Sequence, residues 1–203
     1  MKNQILLSAL VIVAIAFSAF TSADRNSTMS VNVAESKVTW LGKKVTGEHT
    51  GTIQLLSGGM QFNDDKLVGG SFEIDMRSIE NTDLENEEYK QKLVGHLKSD
   101  DFFGVEKYPT ATMKITDVEQ KTSSKYHVTG DITIKGITKS IVFPVEVSLL
   151  DTKAVASASI TIDRSEFDVR YGSGSFFDDL GDKMIYDDFR LDVTVVASRQ
   201  LNY

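Results

Sequence analysis

In the stretch Ile141-Val142-Phe143-Pro144-Val145-Glu146-Val147-Ser148-Leu149, every odd-numbered side chain is apolar, and Val142, Pro144, Glu146 and Ser148 fall on the other face. A repeat of two is the spacing of a β-strand with one dry and one wet face. The pattern recurs on both sides of this stretch. Phe72, Ile74 and Met76 alternate with Ser71, Glu73 and Asp75, and Ile132 and Ile134 with Asp131, Thr133 and Lys135. Ala156, Ala158, Ile160 and Ile162 alternate with Ser157, Ser159, Thr161 and Asp163. Ile185, Phe189, Leu191, Val193 and Val195 share a face opposite Tyr186, Asp188, Arg190, Asp192 and Thr194. Ser57-Gly58-Gly59, Asn63-Asp64-Asp65, Gly69-Gly70 and Thr122-Ser123-Ser124 read as turns between strands.

One segment departs from the alternation. Thr82-Asp83-Leu84-Glu85 has the form of a capping box, and Tyr89, Leu93 and Leu97 recur at helical spacing. Glu85, Glu87 and Glu88 precede Lys90, Lys92 and Lys98, the order that a helix dipole favours. Ser99 reads as the cap of a short second turn, Asp100–Phe103, and Pro109 restarts extended chain. Roughly eight short strands around one helical insertion predict an all-β fold. A closed antiparallel barrel suits them best, because closure removes the sheet edges and buries a dry face too large for one helix to cover.

The chain has 203 residues, enough for one ordinary domain. It has no cysteine, which excludes disulfides, a thiol nucleophile and thiolate metal sites. Three histidines make a multi-histidine metal centre an unpromising reading. The net charge of −7 argues against a nucleic-acid partner and against electrostatic docking on anionic membranes. Lys2, the apolar run Ile5–Phe20 and the small residues Thr21-Ser22-Ala23 have the pattern of a cleaved signal peptide over residues 1–23. No cysteine follows that run, so a lipoprotein anchor is excluded. The expectation is a periplasmic or secreted protein without stable membrane insertion after cleavage. Residues 24–30 read as a flexible lead, and residues 31–203 as one domain without repeats or linkers.

Three stretches resemble the YceI-like family. The first is His96-Leu97-Lys98-Ser99-Asp100-Asp101-Phe102-Phe103 followed by Tyr108-Pro109-Thr110-Ala111-Thr112. The second is Gly130-Asp131-Ile132-Thr133-Ile134-Lys135-Gly136-Ile137-Thr138-Lys139 with Val142-Phe143-Pro144. The third joins Arg164 and Phe167 to Tyr171-Gly172-Ser173-Gly174-Ser175-Phe176-Phe177 and Gly181-Asp182, in a form that resembles Bacteroidetes members. The resemblance implies an extended eight-stranded lipocalin-like barrel with a helical segment near one end. It also implies an exported protein that holds a polyisoprenoid or an isoprenoid quinone in its interior. No catalytic residues and no required cofactor are implied.

From periodicity alone, the dry-face residues either pack a solid core or line a cavity; the resemblance favours the cavity. The expected lining is Phe72, Ile74, Met76, Leu93, Leu97, Phe102, Met113, Ile115, Ile132, Ile134, Phe143, Val145, Ile160, Ile162, Phe189 and Leu191. Three polar residues are candidate head-group contacts. His49 reads either as a donor to a quinone carbonyl or as a satisfied core histidine. His96 reads either as a mouth-lining group or as a helix-end residue bonded to a carbonyl. Arg164 could meet an anionic head or pair with Asp163 or Asp168. The acidic clusters Asp100-Asp101, Asp178-Asp179 with Asp182, and Asp187-Asp188 read as solvated loop charge, since the EF-hand spacing is absent. Two other functions stay open: a hydrolase or isomerase at the barrel mouth using His96 with Asp100 or Asp101, and a filled barrel acting as a protein-interaction module. A homodimer is compatible with each.

Overall fold

A computed structural model describes residues 26–150 and 152–199. The expected signal peptide lies outside the described residues. Nine strands follow one another: β1 (Asn26–Val31), β2 (Lys37–Lys44), β3 (Gly47–Asn63), β4 (Lys66–Asn81), β5 (Thr110–Gln120), β6 (Lys125–Ile134), β7 (Ile137–Leu150), β8 (Lys153–Asp163) and β9 (Ile185–Ser198). One helix, α1 (Glu87–Lys98), interrupts them between β4 and β5. Every pairing is antiparallel, and β2 through β9 close into an eight-stranded ring in which β2 bonds both β3 and β9. The expected all-β barrel with a helical insertion is the fold.

Residues 26–30, expected as a flexible lead, are instead strand. Asn26–Ser30 pair with Gly59–Asn63 of β3, and Ser30-Val31 pair with Ala197-Ser198 of β9. Strands β1 and β2 therefore lie end to end between the same two neighbours. Together they form one broken stave, joined by a turn in which the Asn32 N–H donates to Val196 O at 2.8 Å. The buried Met29 side chain anchors the short piece.

Two of the expected turns are strand interior. Gly58-Gly59 lies within β3 and Gly69-Gly70 within β4; Gly58 pairs with Phe72, Gly59 with Ser71, Gly69 with Gln61 and Gly70 with Met60 across the seam. A Cβ on Gly58 would stand 2.8 Å from Ser71 O, and one on Gly70 2.8 Å from Gly59 O. Glycine here permits close approach of two bent strands, which the sequence shows only as turn composition. The Asn63-Asp64-Asp65 turn is real: Asp64 and Asp65 both have positive φ, as a tight β3–β4 hairpin requires.

Helix α1 starts later than the capping-box pattern predicts. Asn86 is its N-cap, accepting from the Tyr89 N–H at 3.1 Å, and Ser99 closes its C-terminus. Its inward stripe includes Leu93, Val94 and Leu97, while Tyr89 is 63% exposed. Alternation sorts the strands as expected. On β7, Phe143, Val145 and Val147 are buried and Val142 is exposed.

The packed core fills one end of the barrel, around Met29, Met60, Phe62, Leu67, Tyr126 and Val128. Among the described residues, no helix is long and apolar enough to cross a membrane.

Candidate functional site

The other end of the barrel is hollow. A cavity of about 340 Å³ opens there, walled by the inward residues of six strands. Val38 and Trp40 come from β2, and Ile53 from β3. Ile74, Met76 and Ile79 come from β4, Ile132 and Ile134 from β6, and Phe189 and Leu191 from β9; Ala111 of β5 completes the wall. Leu93, His96 and Leu97 of α1, with Phe102 and Phe103 of the following loop, roof it. That loop is tied to the helix end: Gly104, at φ 57°, donates to Ser99 O at 2.8 Å, and Val105 donates to Lys98 O at 2.9 Å.

Glycines shape both the wall and the floor. The Trp40 indole crosses Gly51, where a Cβ would lie 2.5 Å from the ring, and donates from Nε1 to Glu80 O at 3.1 Å. At Gly130, a Cβ would lie 2.7 Å from Met113 Sδ and 3.7 Å from the Phe143 ring. These two side chains therefore close over Gly130, one residue pair deeper than Ala111 and Ile132.

That floor divides the expected lining. Ile74, Met76, Leu93, Leu97, Phe102, Ile132, Ile134, Phe189 and Leu191 border the cavity. Phe72, Met113, Ile115, Phe143, Val145, Ile160 and Ile162 do not; they pack in or against the core. Alternation places all of them on the same inner surface, but depth along the barrel separates wall from filling. On the β7–β8 side, Phe167 of the short 3₁₀ turn after β8 joins the buried cluster and occupies the interior there. Sequence reading overlooked Val38, Trp40 and Ile53, although Val38-Thr39-Trp40 alternates as the other strands do. Phe103, Tyr171 and Ile185 were overlooked as well.

The three polar candidates all reach this cavity, with different freedom. His49 Nδ1 lies 2.8 Å from Asp83 Oδ2. Asp83 also accepts from the Thr50 N–H at 2.9 Å and from Asn81, itself buried. Burial raises the Asp83 carboxyl, but the hydrogen bonds from His49, Thr50 and Asn81 outweigh it and hold the pKa below the usual value. His96 stands in an aromatic corner, its ring edge-on to Tyr171 at 4.3 Å and to Phe102 at 5.7 Å. The carbonyl bond at this helix end belongs to Ser99, whose hydroxyl donates to His96 O.

Arg164 is 2% exposed, and its guanidinium is spent on the protein. Nε donates to Tyr186 O, Nη1 to Val169 O and Tyr171 O, and Nη2 to Ile185 O, at 2.8–3.2 Å. The remaining direction of Nη2 faces Asp187 Oδ1 at 3.3 Å, and the group lies 5.3 Å from the centre of the Phe102 ring. Burial lowers its pKa, opposed by Asp187 and Asp163. Four of its five donors are bonded to carbonyls and Asp187 supplies the countercharge, so the guanidinium is engaged by the protein itself rather than held out for a lipid head. The partner is Asp187 rather than Asp163 or Asp168. The signal was present in the alternation: Asp187 lies between Ile185 and Phe189 on the dry face of β9.

The arrangement offers little for acid–base chemistry. Asp100 pairs with Lys107 at 2.7 Å, and no hydrogen bond joins His96 to Asp100 or Asp101 among the described residues. Among the described residues, no group of three or more His, Asp or Glu side chains is placed to hold a metal.

Comparison with known proteins agrees with this architecture. A UPF0312 protein of Photorhabdus laumondii is 47% identical over 51 residues, 25% of this chain and 26% of its own. One of Vibrio parahaemolyticus is 31% identical over 98 residues, 47% of this chain and 48% of its own. The chain thus spans about half, or less, of the length of the curated relatives it matches. Among solved structures, Burkholderia cenocepacia BcnA superposes with a TM-score of 0.68 at 26% identity, over 83% of this chain and 99% of its own. A polyisoprenoid binding domain from Saccharophagus degradans, implicated in plant cell wall breakdown, gives 0.63 over 84% and 98%; at 16% identity this likeness is one of fold. The YceI-like domain profile matches residues 29–197, nearly the whole described barrel, and the chain therefore belongs to the YceI-like family.

Proposed function

We propose that this protein is a binding protein, not an enzyme, that takes the apolar tail of an isoprenoid lipid into the hollow end of its barrel. The observation that carries the reading is the cavity itself: about 340 Å³, walled almost wholly by aliphatic and aromatic side chains and open at one end. Family membership and the polyisoprenoid-binding neighbour support it. The ligand is a polyisoprenoid or an isoprenoid quinone. Binding is sequestration, driven by removal of apolar surface from water at ~25 cal/mol per Å². Freezing the rotors of the chain offsets part of that gain. On this reading the His96 ring beside Tyr171 and His49 at the rim, with Lys43, Lys44 and Glu48 along the same mouth, meet a ligand head.

The cavity volume limits the tail. At about 30 Å³ for a water-sized group, it holds on the order of eleven such groups. A longer isoprenoid must trail out of the mouth or displace the floor at Met113 and Phe143. Methionine is suited to such displacement because its side chain is unbranched and flexible. The signal-like segment at residues 1–23 supports delivery to the periplasm or beyond, where a lipid cannot cross water alone.

Extraction of the purified protein with organic solvent, followed by mass spectrometry, tests the reading. The expected result is an isoprenoid lipid near one per chain, and its loss in Ala111→Phe, which places a ring in the cavity. A lipid-free protein, or an Ala111→Phe variant that folds and retains its lipid, would overturn it.

A further inference from the structure

The large exposed aromatic side chains are not scattered over the surface. Among the described residues there are six: Tyr89, Tyr108, Tyr171, Phe176, Phe177 and Tyr186. All six belong to elements of the open end. Tyr171 and Tyr186 border the cavity itself, and Tyr89 projects from the helix that roofs it. Tyr108 packs beside Gly136 in the β6–β7 turn. Phe176 and Phe177 ride on the segment between β8 and β9, which is fixed to the mouth. There Ser175 Oγ donates to Asp187 at 2.7 Å, and the Ile185 N–H donates to Gly172 O at 2.8 Å. Val45, at the tip of the β2–β3 turn, is also exposed, and its N–H donates to Met184 O. The other exposed aliphatics, Val33, Leu56, Val68, Val142 and Leu150, are by contrast spread singly over the β1–β2 turn, β3, β4 and β7.

We infer that this aromatic rim docks the barrel, mouth down, on the surface of a neutral lipid bilayer. Aromatic rings, above all those with a polar tip, suit the boundary between headgroups and acyl chains. The rim frames the one end at which the cavity opens, so a docked bilayer would be continuous with it. The inference rests on the lipid reading above in one respect: a tail with negligible solubility in water reaches the mouth only from a lipid phase touching it. Charge selects the kind of surface. Between Asp163 and Asp188 there are eight acidic and three basic residues, an excess that Lys43 and Lys44 at the β2 edge of the mouth offset only in part, so the rim disfavours anionic headgroups. This distinguishes it from a basic amphipathic anchor, which needs them.

Sedimentation with phosphatidylcholine vesicles free of isoprenoid tests the inference, because the outcome then does not depend on what the cavity holds. The full protein is expected to bind, and Phe176→Ser/Phe177→Ser to bind about tenfold or more weakly, since both rings leave water on docking. Val142→Ser/Leu150→Ser should bind as the parent does. Added phosphatidylglycerol should weaken binding at low salt. The inference is overturned by no binding, by undiminished binding of the Phe176/Phe177 variant, or by binding that rises with phosphatidylglycerol. A dimer in solution that the same variant dissolves would assign the rim to a second copy and also overturn it. Retention of the isoprenoid by the vesicle-blind variant would leave the cavity reading intact.

Discussion

Two single residues govern the mouth. Arg164 ties the ends of β8 and β9 and the intervening segment to one buried guanidinium, through four carbonyls and Asp187. Arg164→Met would leave those acceptors and the Asp187 charge unpaired, with an expected loss of about 3–5 kcal/mol in urea unfolding. A loss under about 1 kcal/mol would show that the clamp is not what holds the mouth. Asp83 makes a pH-dependent contribution. Its folded pKa lies below the ordinary carboxyl value, so its stabilisation is present above that value and is lost as pH falls through the folded pKa. Asp83→Asn should therefore be less stable than the parent at neutral pH, and the gap in urea midpoint should narrow as the pH falls through the folded pKa. A gap that persists unchanged would assign the effect to packing. The sequence shows Asp83 only inside a capping pattern, whereas for Arg164 it offers two neighbouring Asp residues and, less directly, Asp187 on the dry face of β9. The true partners, His49 and Asp187, are distant in the chain.

At the scale of elements, α1 is the piece most able to move. It is held mainly against β4 and contributes only Val94 to the fully buried set, while Leu93, His96 and Leu97 face the cavity. Lids come from the low-stability part of a fold. Amide exchange across Glu85–Lys98 is expected to slow when the cavity is loaded, with the strands protected throughout. Equal exchange in empty and loaded protein would make α1 a static buttress. Sequence reading placed this helix but misjudged its start and its stripe. Thr82, the capping position of that pattern, is instead held to Thr50 O by its N–H at 3.0 Å, a contact across 32 residues, and Asn86 caps the helix. The double-glycine stretches were misread for a related reason: a turn and a tightly bent strand pair need the same lack of side chain.

For the molecule as a whole, closure is the main fact, and it involves nine strands in eight places. The short β1 seals the packed end between β3 and β9. Met29, at 1% exposure, packs this stave into the core beside Met60, its register partner. Met29→Ala is expected to cost about 2–5 kcal/mol in chemical unfolding, as a large-to-small core change does. A cost below about 0.5 kcal/mol would mean that β1 is an ornament on a barrel already closed.

The alternation of apolar and polar residues by itself determined the strands, their inner faces and hence a barrel of this class. Face is a local property, set by residues two apart in the chain. Tertiary structure alone decided which inner residues border a void. Ile132 and Gly130 share a face, yet one lines the cavity and the other lies under Met113 and Phe143. That difference depends on the summed volume of side chains brought together from β5, β6 and β7, and on Phe167 filling the far wall. The same holds for Arg164, whose guanidinium meets its four carbonyl acceptors and Asp187 only when the segment up to β9 folds back over it.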